Sequence, residues 1–113
     1  MELETKVLSR ELQQRMYDNG LTIGTAESCT GGRVAEAVIA TPGASKYFKG
    51  GVICYSNEVK ENLLGVSAQV LAEKSAVSEE VAVQMVKGAC ETLKTDYAMA
   101  VTGYAGPVAG END

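Results

Sequence analysis

One short segment of the 113-residue chain has the features of an anion-binding turn. It runs from Thr25 to Gly32, where an apolar strand predicted over 21–26 leads into a small, polar turn that contains glycine. An amphipathic helix is predicted directly after this turn. In such a geometry, free backbone N–H groups and the positive end of the helix dipole converge on one point. The segment therefore predicts a binding site for a small ligand that carries a phosphate or a carboxylate.

Four side chains could do chemistry near such a ligand. Lys60 falls in the first turn of a predicted helix, where the helix dipole and partial burial would lower its pKa and let it act as a base. Cys29 is a candidate nucleophile because a thiol beside a helix N-terminus ionises more readily. Tyr55 could donate a hydrogen bond from a strand end or simply pack, and Ser45 lies in a loop where nothing local marks it as a nucleophile. From position alone, a solvated surface lysine and a buried structural cysteine are the commoner outcomes.

The composition narrows both the chemistry and the class of protein. The chain has no His, so catalysis must use Ser, Cys, Lys, Tyr or a carboxylate. Its three cysteines have no metal-like spacing, so we expect neither a metal nor a disulfide framework. The net charge of −5, with scattered basic residues, argues against nucleic-acid binding. The chain has no apolar run near the roughly 20 residues that span a bilayer and no signal peptide, so we expect a cytoplasmic protein without membrane contacts.

Helices and short strands are predicted to alternate along the chain. Apolar spacing predicts helices over 3–18, 33–40, 57–64 and 68–73, and a longer helix that begins after Ser78. The expected N-caps of the last three helices are Asn57, Ser67 and Ser78. Apolar runs over 21–26, 51–55 and 96–102 predict three buried strands. This alternation is typical of a layered α/β domain with a largely parallel sheet. Because three strands make a thin sheet and the sequence ends in a polar loop, we expect one domain over residues 1–113 that is incomplete at its C-terminal end.

Polar clusters follow each of the three predicted strands. They cover residues 27–32, 55–57 and 102–107. Ligands of open α/β sheets bind at the carboxyl ends of the strands, so these clusters are expected to form one pocket. Each cluster taken alone would also fit an ordinary turn.

Several motifs of the chain resemble one known family in order and approximate spacing. They are TAESCTGG (25–32), GVICYSNEVK (51–60), GV (65–66), AVSEEV (76–81) and VTGYAGP (101–107). Together they resemble the CinA C-terminal domain family, whose stand-alone members are nicotinamide-nucleotide amidases. The resemblance extends from about residue 5 to residue 107 and is far more specific than any single glycine loop.

The resemblance implies a three-layer α/β/α fold, a homodimer or higher homo-oligomer, and no metal or cofactor. It also implies hydrolysis of the carboxamide of nicotinamide mononucleotide to nicotinic acid mononucleotide and ammonia. The loop serine of the family falls on Ser45, its strand-end tyrosine on Tyr55 and its helix lysine on Lys60. The resulting hypothesis is that Ser45 attacks the amide carbon, that Lys60 takes the serine proton, and that Tyr55 positions Lys60 or bridges the proton path.

The same hypothesis assigns the substrate-binding residues. The 5′-phosphate would lie on the loop over 29–32, and the second glycine loop would line the ribose or the pyridine ring. The residues expected to bind substrate are Cys29, Thr30, Gly31, Gly32, Asn57, Thr102, Gly103 and Gly106.

Two departures from the family pattern leave alternatives open. Family members usually carry Gly-Ser-Ser where this chain has Gly43-Ala44-Ser45. The family also continues past the second glycine loop with further strands, a closing helix and a functional arginine. A non-catalytic nucleotide-binding or dimerisation module is therefore the second hypothesis, and a thiol hydrolase that uses Cys29 is the third.

Overall fold

Parallel strands alternate with helices through most of the chain. The computed structural model describes residues 1–104. Within that range the helices and strands agree with the predicted ones to within about three residues at each end, the usual uncertainty of such boundaries. In chain order they are α1 (Leu3–Asn19), β1 (Ile23–Glu27), α2 (Arg33–Val38), a 3₁₀ turn (Ala44–Lys46), β2 (Phe48–Ile53), α3 (Asn57–Leu64), α4 (Ala68–Lys74), α5 (Glu79–Leu93) and β3 (Tyr97–Val101).

The three strands form one parallel sheet in the order β2-β1-β3. The central strand β1 pairs with both neighbours, and its last residue, Glu27, lies opposite Ile53 and Val101. The carboxyl ends of the three strands therefore meet at one edge, called the carboxyl edge below. The other end of the sheet is called the amino edge. The parallel α/β fold predicted from the sequence is confirmed.

Helices cover both faces of the sheet. On one face, Ile23 packs with Val38 of α2 and Tyr47, and Leu12 and Met16 of α1 complete this cluster. On the other face, Ala26 packs with Val81, Met85 and Ala89 of α5 and with apolar residues of α3 and α4. Successive side chains of a strand point to opposite faces, so β1 supplies both cores. The molecule is thus a three-layer α/β/α arrangement.

Serine caps begin three of the helices. Ser56, Ser67 and Ser78 each accept a hydrogen bond from the backbone N–H three residues further on, at the starts of α3, α4 and α5. Such caps satisfy an orphan N–H of the first helical turn. Ser67 and Ser78 were predicted as caps, whereas α3 is capped by Ser56 rather than by Asn57, because the extended residue before the helix is Ser56.

The first helix has the predicted span but not a fully buried apolar face. Leu12 and Met16 pack on the sheet, whereas Leu3 is 77% exposed and Leu8 is 58% exposed. The helical spacing of apolar residues therefore predicted the element correctly, while only its second half is covered within residues 1–104. None of the helices in this range is long and apolar enough to cross a membrane.

Candidate active site

The carboxyl edge of the sheet contains a pocket of about 200 Å³. The turns after β1, β2 and β3 all reach it, as predicted from the three polar clusters, and the link between α4 and α5 completes it. Its lining residues are Ser28, Tyr55, Asn57, Lys60, Ser75, Ala76, Val77, Thr102, Gly103 and Tyr104.

Lys60 is the unusual side chain of this pocket because it is only 1% exposed. It lies one turn into α3, and its ammonium nitrogen Nζ reaches back to the ends of two strands. Nζ donates to the carbonyl oxygen of Cys54 at 2.9 Å and to that of Tyr55 at 3.1 Å, and it lies 3.3 Å from the hydroxyl oxygen of Ser28. Within residues 1–104, Lys60 forms no ion pair. Burial therefore lowers the pKa of Lys60 from its ordinary value.

The three neighbours of Lys60 Nζ determine what its neutral form can do. A neutral amine has two N–H donors and one lone pair. The Cys54 and Tyr55 carbonyls can only accept hydrogen bonds, so they take the two N–H groups. The Ser28 hydroxyl can donate, and it is the one neighbour left to face the lone pair. Neutral Lys60 is therefore placed to accept the proton of Ser28.

Ser28 is held at the end of the central strand. Its backbone N–H donates to the carbonyl of Val101 at 3.0 Å, so it extends the pairing of β1 with β3 by one residue. The residue is 6% exposed, and its hydroxyl lies in the pocket lining. This serine was not among the predicted site residues. The signal that could have identified it is its position directly after a buried parallel strand, at the edge where ligands bind.

Glu27 occupies the anion site that the sequence predicted at the start of α2. Its Oε1 accepts from the backbone N–H of Gly32 at 3.1 Å and of Val34 at 2.8 Å, and its Oε2 accepts from that of Ala35 at 2.9 Å. The Thr30 hydroxyl donates to Oε1 at 2.7 Å. Although burial alone would raise the pKa of Glu27, these four bonds lower it overall.

The expected phosphate site on residues 29–32 is therefore not supported. Three of the N–H groups that would bind a phosphate already donate to the carboxylate of Glu27. A second anion at this point would meet the negative charge of Glu27 instead of free donors. Thr30 and Gly32 instead serve to hold Glu27, and Gly31 lies at the tip of the turn with a φ of 57°.

Ser45 lies at the opposite edge of the sheet from Lys60. Ser45 is exposed in the 3₁₀ turn that precedes β2, whereas Lys60 follows the end of that strand. At a rise of roughly 3.3 Å per residue, the six residues of β2 separate the two side chains by about 20 Å. Within one chain, the structure does not bring the expected nucleophile and base together.

The other predicted residues lie at or beside the pocket. Tyr55 and Asn57 line it, and Tyr55 is 52% exposed. Thr102 and Gly103 also line it. Cys29 is half-buried beside Gly103. The two are so close that a Cβ atom added to Gly103 would lie 3.2 Å from the sulfur of Cys29. Gly106 lies outside the described residues.

The described part of the chain offers no cluster of three or more His, Cys, Asp or Glu side chains that could hold a metal ion. The chemistry that this arrangement supports by itself is covalent catalysis by a serine with a neutral lysine as its base. Ser–Lys pairs are one of the known variants of the serine nucleophile and its base.

The sequence and the structure both match proteins of one family. The family model of the CinA C-terminal domain matches residues 5–113. A CinA-like protein of Leptospira borgpetersenii is 47% identical over 106 residues, which cover 94% of this chain and 25% of that protein. The nicotinamide-nucleotide amidohydrolase PncC of Escherichia coli is 42% identical over 110 residues, which cover 97% of this chain and 67% of the relative. The chain thus spans about a quarter of the length of the CinA-like relative and two thirds of PncC.

Solved structures of CinA proteins share the fold. The CinA superfamily protein of Escherichia coli superposes with a TM-score of 0.91 at 41% identity, over 95% of this chain and 62% of that one. The competence/damage inducible protein CihA of Agrobacterium tumefaciens gives 0.92 at 37% identity, over 99% and 70%. With a family model that matches nearly its whole length, this chain belongs to the CinA C-terminal domain family.

Proposed function

We propose that the chain hydrolyses the carboxamide of nicotinamide mononucleotide to nicotinic acid mononucleotide and ammonia, with Ser28 as the nucleophile and Lys60 as the base. The observation that carries this proposal is the 3.3 Å contact between Lys60 Nζ and Ser28 Oγ inside a pocket. The substrate class comes from PncC, whose name describes a nicotinamide-nucleotide amidohydrolase.

The first half of the reaction forms an ester. Ser28 Oγ attacks the carboxamide carbon while its proton passes to the lone pair of neutral Lys60. The tetrahedral intermediate then collapses, its C–N bond breaks, and the Lys60 ammonium returns the proton to the departing nitrogen. Ammonia leaves, and Ser28 carries the nicotinoyl group as an ester.

The second half of the reaction releases the acid. Water attacks the ester carbon while Lys60, neutral again, takes a proton from that water. The ester bond breaks, and the proton held by Lys60 returns to Ser28 Oγ. The product carboxylate ionises to give nicotinic acid mononucleotide, and no cofactor is consumed in either half.

Ser28 replaces Ser45 as the proposed nucleophile on geometric grounds. A general base must lie within hydrogen-bond reach of the proton that it abstracts, and Lys60 meets this condition for Ser28. Ser45 is separated from Lys60 by the whole length of strand β2. Cys29 lies beside the pocket, but its sulfur forms no hydrogen bond with Lys60 Nζ, which already has three oxygen neighbours.

The size of the pocket indicates how the substrate lies. A volume of about 200 Å³ is below the roughly 300–1,000 Å³ of typical small-molecule sites. The described residues therefore enclose only part of a mononucleotide. We place the carboxamide and its pyridine ring at Ser28 and Lys60, with the ribose phosphate directed toward the exposed side chains of Tyr55 and Asn57.

The test is ammonia release from nicotinamide mononucleotide by the wild-type protein and by single variants. We expect Ser28→Ala to abolish turnover, while Ser45→Ala and Cys29→Ala keep most of it. Loss of activity in Ser45→Ala alone would overturn the assignment of Ser28, and loss in Cys29→Ala alone would favour a thiol hydrolase. If the wild type binds the mononucleotide without releasing ammonia, the chain is a non-catalytic nucleotide-binding module.

The resemblance supports two further proposals about the whole protein. We propose a cytoplasmic location, where the nucleotide substrate is found, and a homodimer, as in members of the family. Sedimentation equilibrium of the purified protein tests the second proposal, because a monomer at micromolar concentration would contradict it.

A further inference from the structure

The link between α4 and α5 forms the part of the pocket that the proposed reaction does not use. Ser75, Ala76 and Val77 line the pocket, and they are called the α4–α5 wall below. None of them contacts Lys60 or Ser28 through a hydrogen bond, so the wall is placed to bind the non-reacting part of a ligand.

The backbone of this wall is strained at Ser75 and is held by hydrogen bonds. Ser75 has φ 70° and ψ 160°, a region that is open almost only to glycine. Two hydrogen bonds within the link hold it there: Val77 N–H donates to Ser75 Oγ at 3.1 Å, and the Ser78 hydroxyl donates to the Ser75 carbonyl at 2.9 Å. Strained backbone of this kind persists only where the surrounding contacts determine it.

A third hydrogen bond ties the wall to the sheet. The Thr102 hydroxyl donates to the carbonyl of Ala76 at 2.7 Å, across 26 residues of sequence. The residue before it, Val101, accepts the backbone N–H of Ser28 at 3.0 Å. Val101, the last residue of β3, and the next residue, Thr102, thus connect the proposed nucleophile on one side with the wall on the other, so they fix the width of the pocket.

The same hydrogen bond limits what Thr102 can do for a substrate. A threonine hydroxyl has one proton, and that of Thr102 is already donated to Ala76. We propose that Thr102 is a positioning residue that sets the distance between the α4–α5 wall and Ser28, and that it acts on substrate affinity through Ala76. Only the kinetic test of this role of Thr102 depends on the proposed amidase function.

The decisive variants are Thr102→Val, which keeps the shape and removes the proton, and Thr102→Ser, which keeps the proton. Thr95→Val is the matched control, because the Thr95 hydroxyl is buried without a described partner at the amino edge.

A wall that binds substrate and transition state equally changes KM and leaves kcat unchanged. Since one hydrogen bond contributes a modest free energy, we expect Thr102→Val to raise the KM for nicotinamide mononucleotide about three- to tenfold. The expected kcat stays within about twofold, and Thr102→Ser and Thr95→Val are expected to resemble the wild type.

A second measurement does not depend on activity. Amide hydrogen exchange at Ala76 and Val77 should be faster in Thr102→Val than in the wild type, Thr102→Ser or Thr95→Val. A wild type without ammonia release would contradict the proposed function, while this exchange experiment would still decide the role of Thr102. A fall in kcat with unchanged KM, equal damage in Thr102→Ser, or unchanged exchange in Thr102→Val would each overturn the inference.

Discussion

Asp96 at the amino edge and Lys60 at the carboxyl edge of the same sheet are held in opposite ways. At the amino edge, the Asp96 carboxylate accepts from the backbone N–H of Thr22 at 2.9 Å and from its hydroxyl at 3.0 Å. The backbone N–H of Asp96 donates back to the Thr22 hydroxyl at 3.1 Å. The hydrogen bond from the Thr22 backbone, followed by that from its hydroxyl, lowers the pKa of Asp96.

At the carboxyl edge, the environment of Lys60 disfavours its charged form. Lys60 is buried among oxygen atoms, and burial lowers the pKa of its amine. The contacts of Asp96 thus favour its charged form and tie β1 to β3, whereas burial makes the neutral form of Lys60 easier to reach. Asp96 thus has a structural role, whereas a perturbed group that lines a cleft, as Lys60 does, is a candidate for chemistry.

Removing the Lys60 amine should have the largest effect of any change at either edge. We expect Lys60→Met to lower kcat/KM for ammonia release by about 10²–10⁴-fold, the usual contribution of a general base. Lys49→Met is the matched control, because Lys49 donates to the Lys94 carbonyl at the amino edge. Steady-state kinetics of both variants test this, and similar losses in the two would remove the functional distinction between the edges.

The same variant should change the pH dependence of stability. Because the pKa of Lys60 is lowered in the folded state, the unfolded chain binds more protons just below pH 10.5. Lys60 therefore makes the free energy of unfolding of the wild type rise with pH between the lowered pKa and 10.5. This contribution should be absent in Lys60→Met. Urea denaturation across this range measures the slope, and identical slopes in the two proteins would mean that Lys60 is not perturbed.

Neutralising Glu27 should lower the free energy of unfolding by more than the loss of any single surface hydrogen bond would. Glu27→Gln keeps one acceptor oxygen but turns an NH₂ group toward the Ala35 N–H, so about 2 kcal/mol of unfolding free energy should be lost. Glu36→Gln, at an exposed position of α2, is the control and should be close to neutral. Because the pKa of Glu27 is lowered, its contribution is present above pH 4.5 and is lost as the pH falls below that value. A difference between the variants that persists unchanged at low pH would contradict this.

Neutralising Asp96 should have the smallest effect, because its carboxylate is exposed. Asp96→Asn is expected to lower Tm slightly at pH 7, and the difference from the wild type should shrink as the pH falls below 3.8. Thermal unfolding at several pH values checks this, with Asp18→Asn on α1 as the control. A loss as large as that of Glu27→Gln would contradict the weak contribution expected of an exposed carboxylate.

The sequence predicted the elements well because their signals are local. The serine caps Ser67 and Ser78 and the apolar runs of the three strands identify helices and strands without knowledge of the fold. The carboxyl-edge pocket was also predictable, because parallel strands bring their C-terminal turns together. From position alone a solvated surface lysine was the commoner expectation for Lys60, whereas the residue is buried in the structure and burial lowers its pKa.

The contact between Ser28 and Lys60 was not predictable from spacing alone. Ser45 is 15 residues from Lys60 in sequence and Ser28 is 32 residues away, yet Ser28 is the one in contact. The reason is that strand β2 separates Ser45 from Lys60, whereas the parallel pairing of β1 and β2 brings Ser28 to it. The role of Glu27 was missed for a related reason, since a glycine turn before a helix shows where an anion binds but not whether the chain supplies that anion itself.

The most direct measurement is an NMR titration of the Lys60 Nζ atom in protein labelled with ¹⁵N-lysine, with the signal assigned by Lys60→Met. We expect the titration midpoint to lie below 10.5, because burial disfavours the charged amine and Lys60 has no carboxylate partner among residues 1–104. Such a midpoint would mean that the neutral form, whose lone pair faces Ser28, is easier to reach than in a solvated lysine. A midpoint at or above 10.5 would show that Lys60 stays charged, and Lys60 could then not be the base of this site.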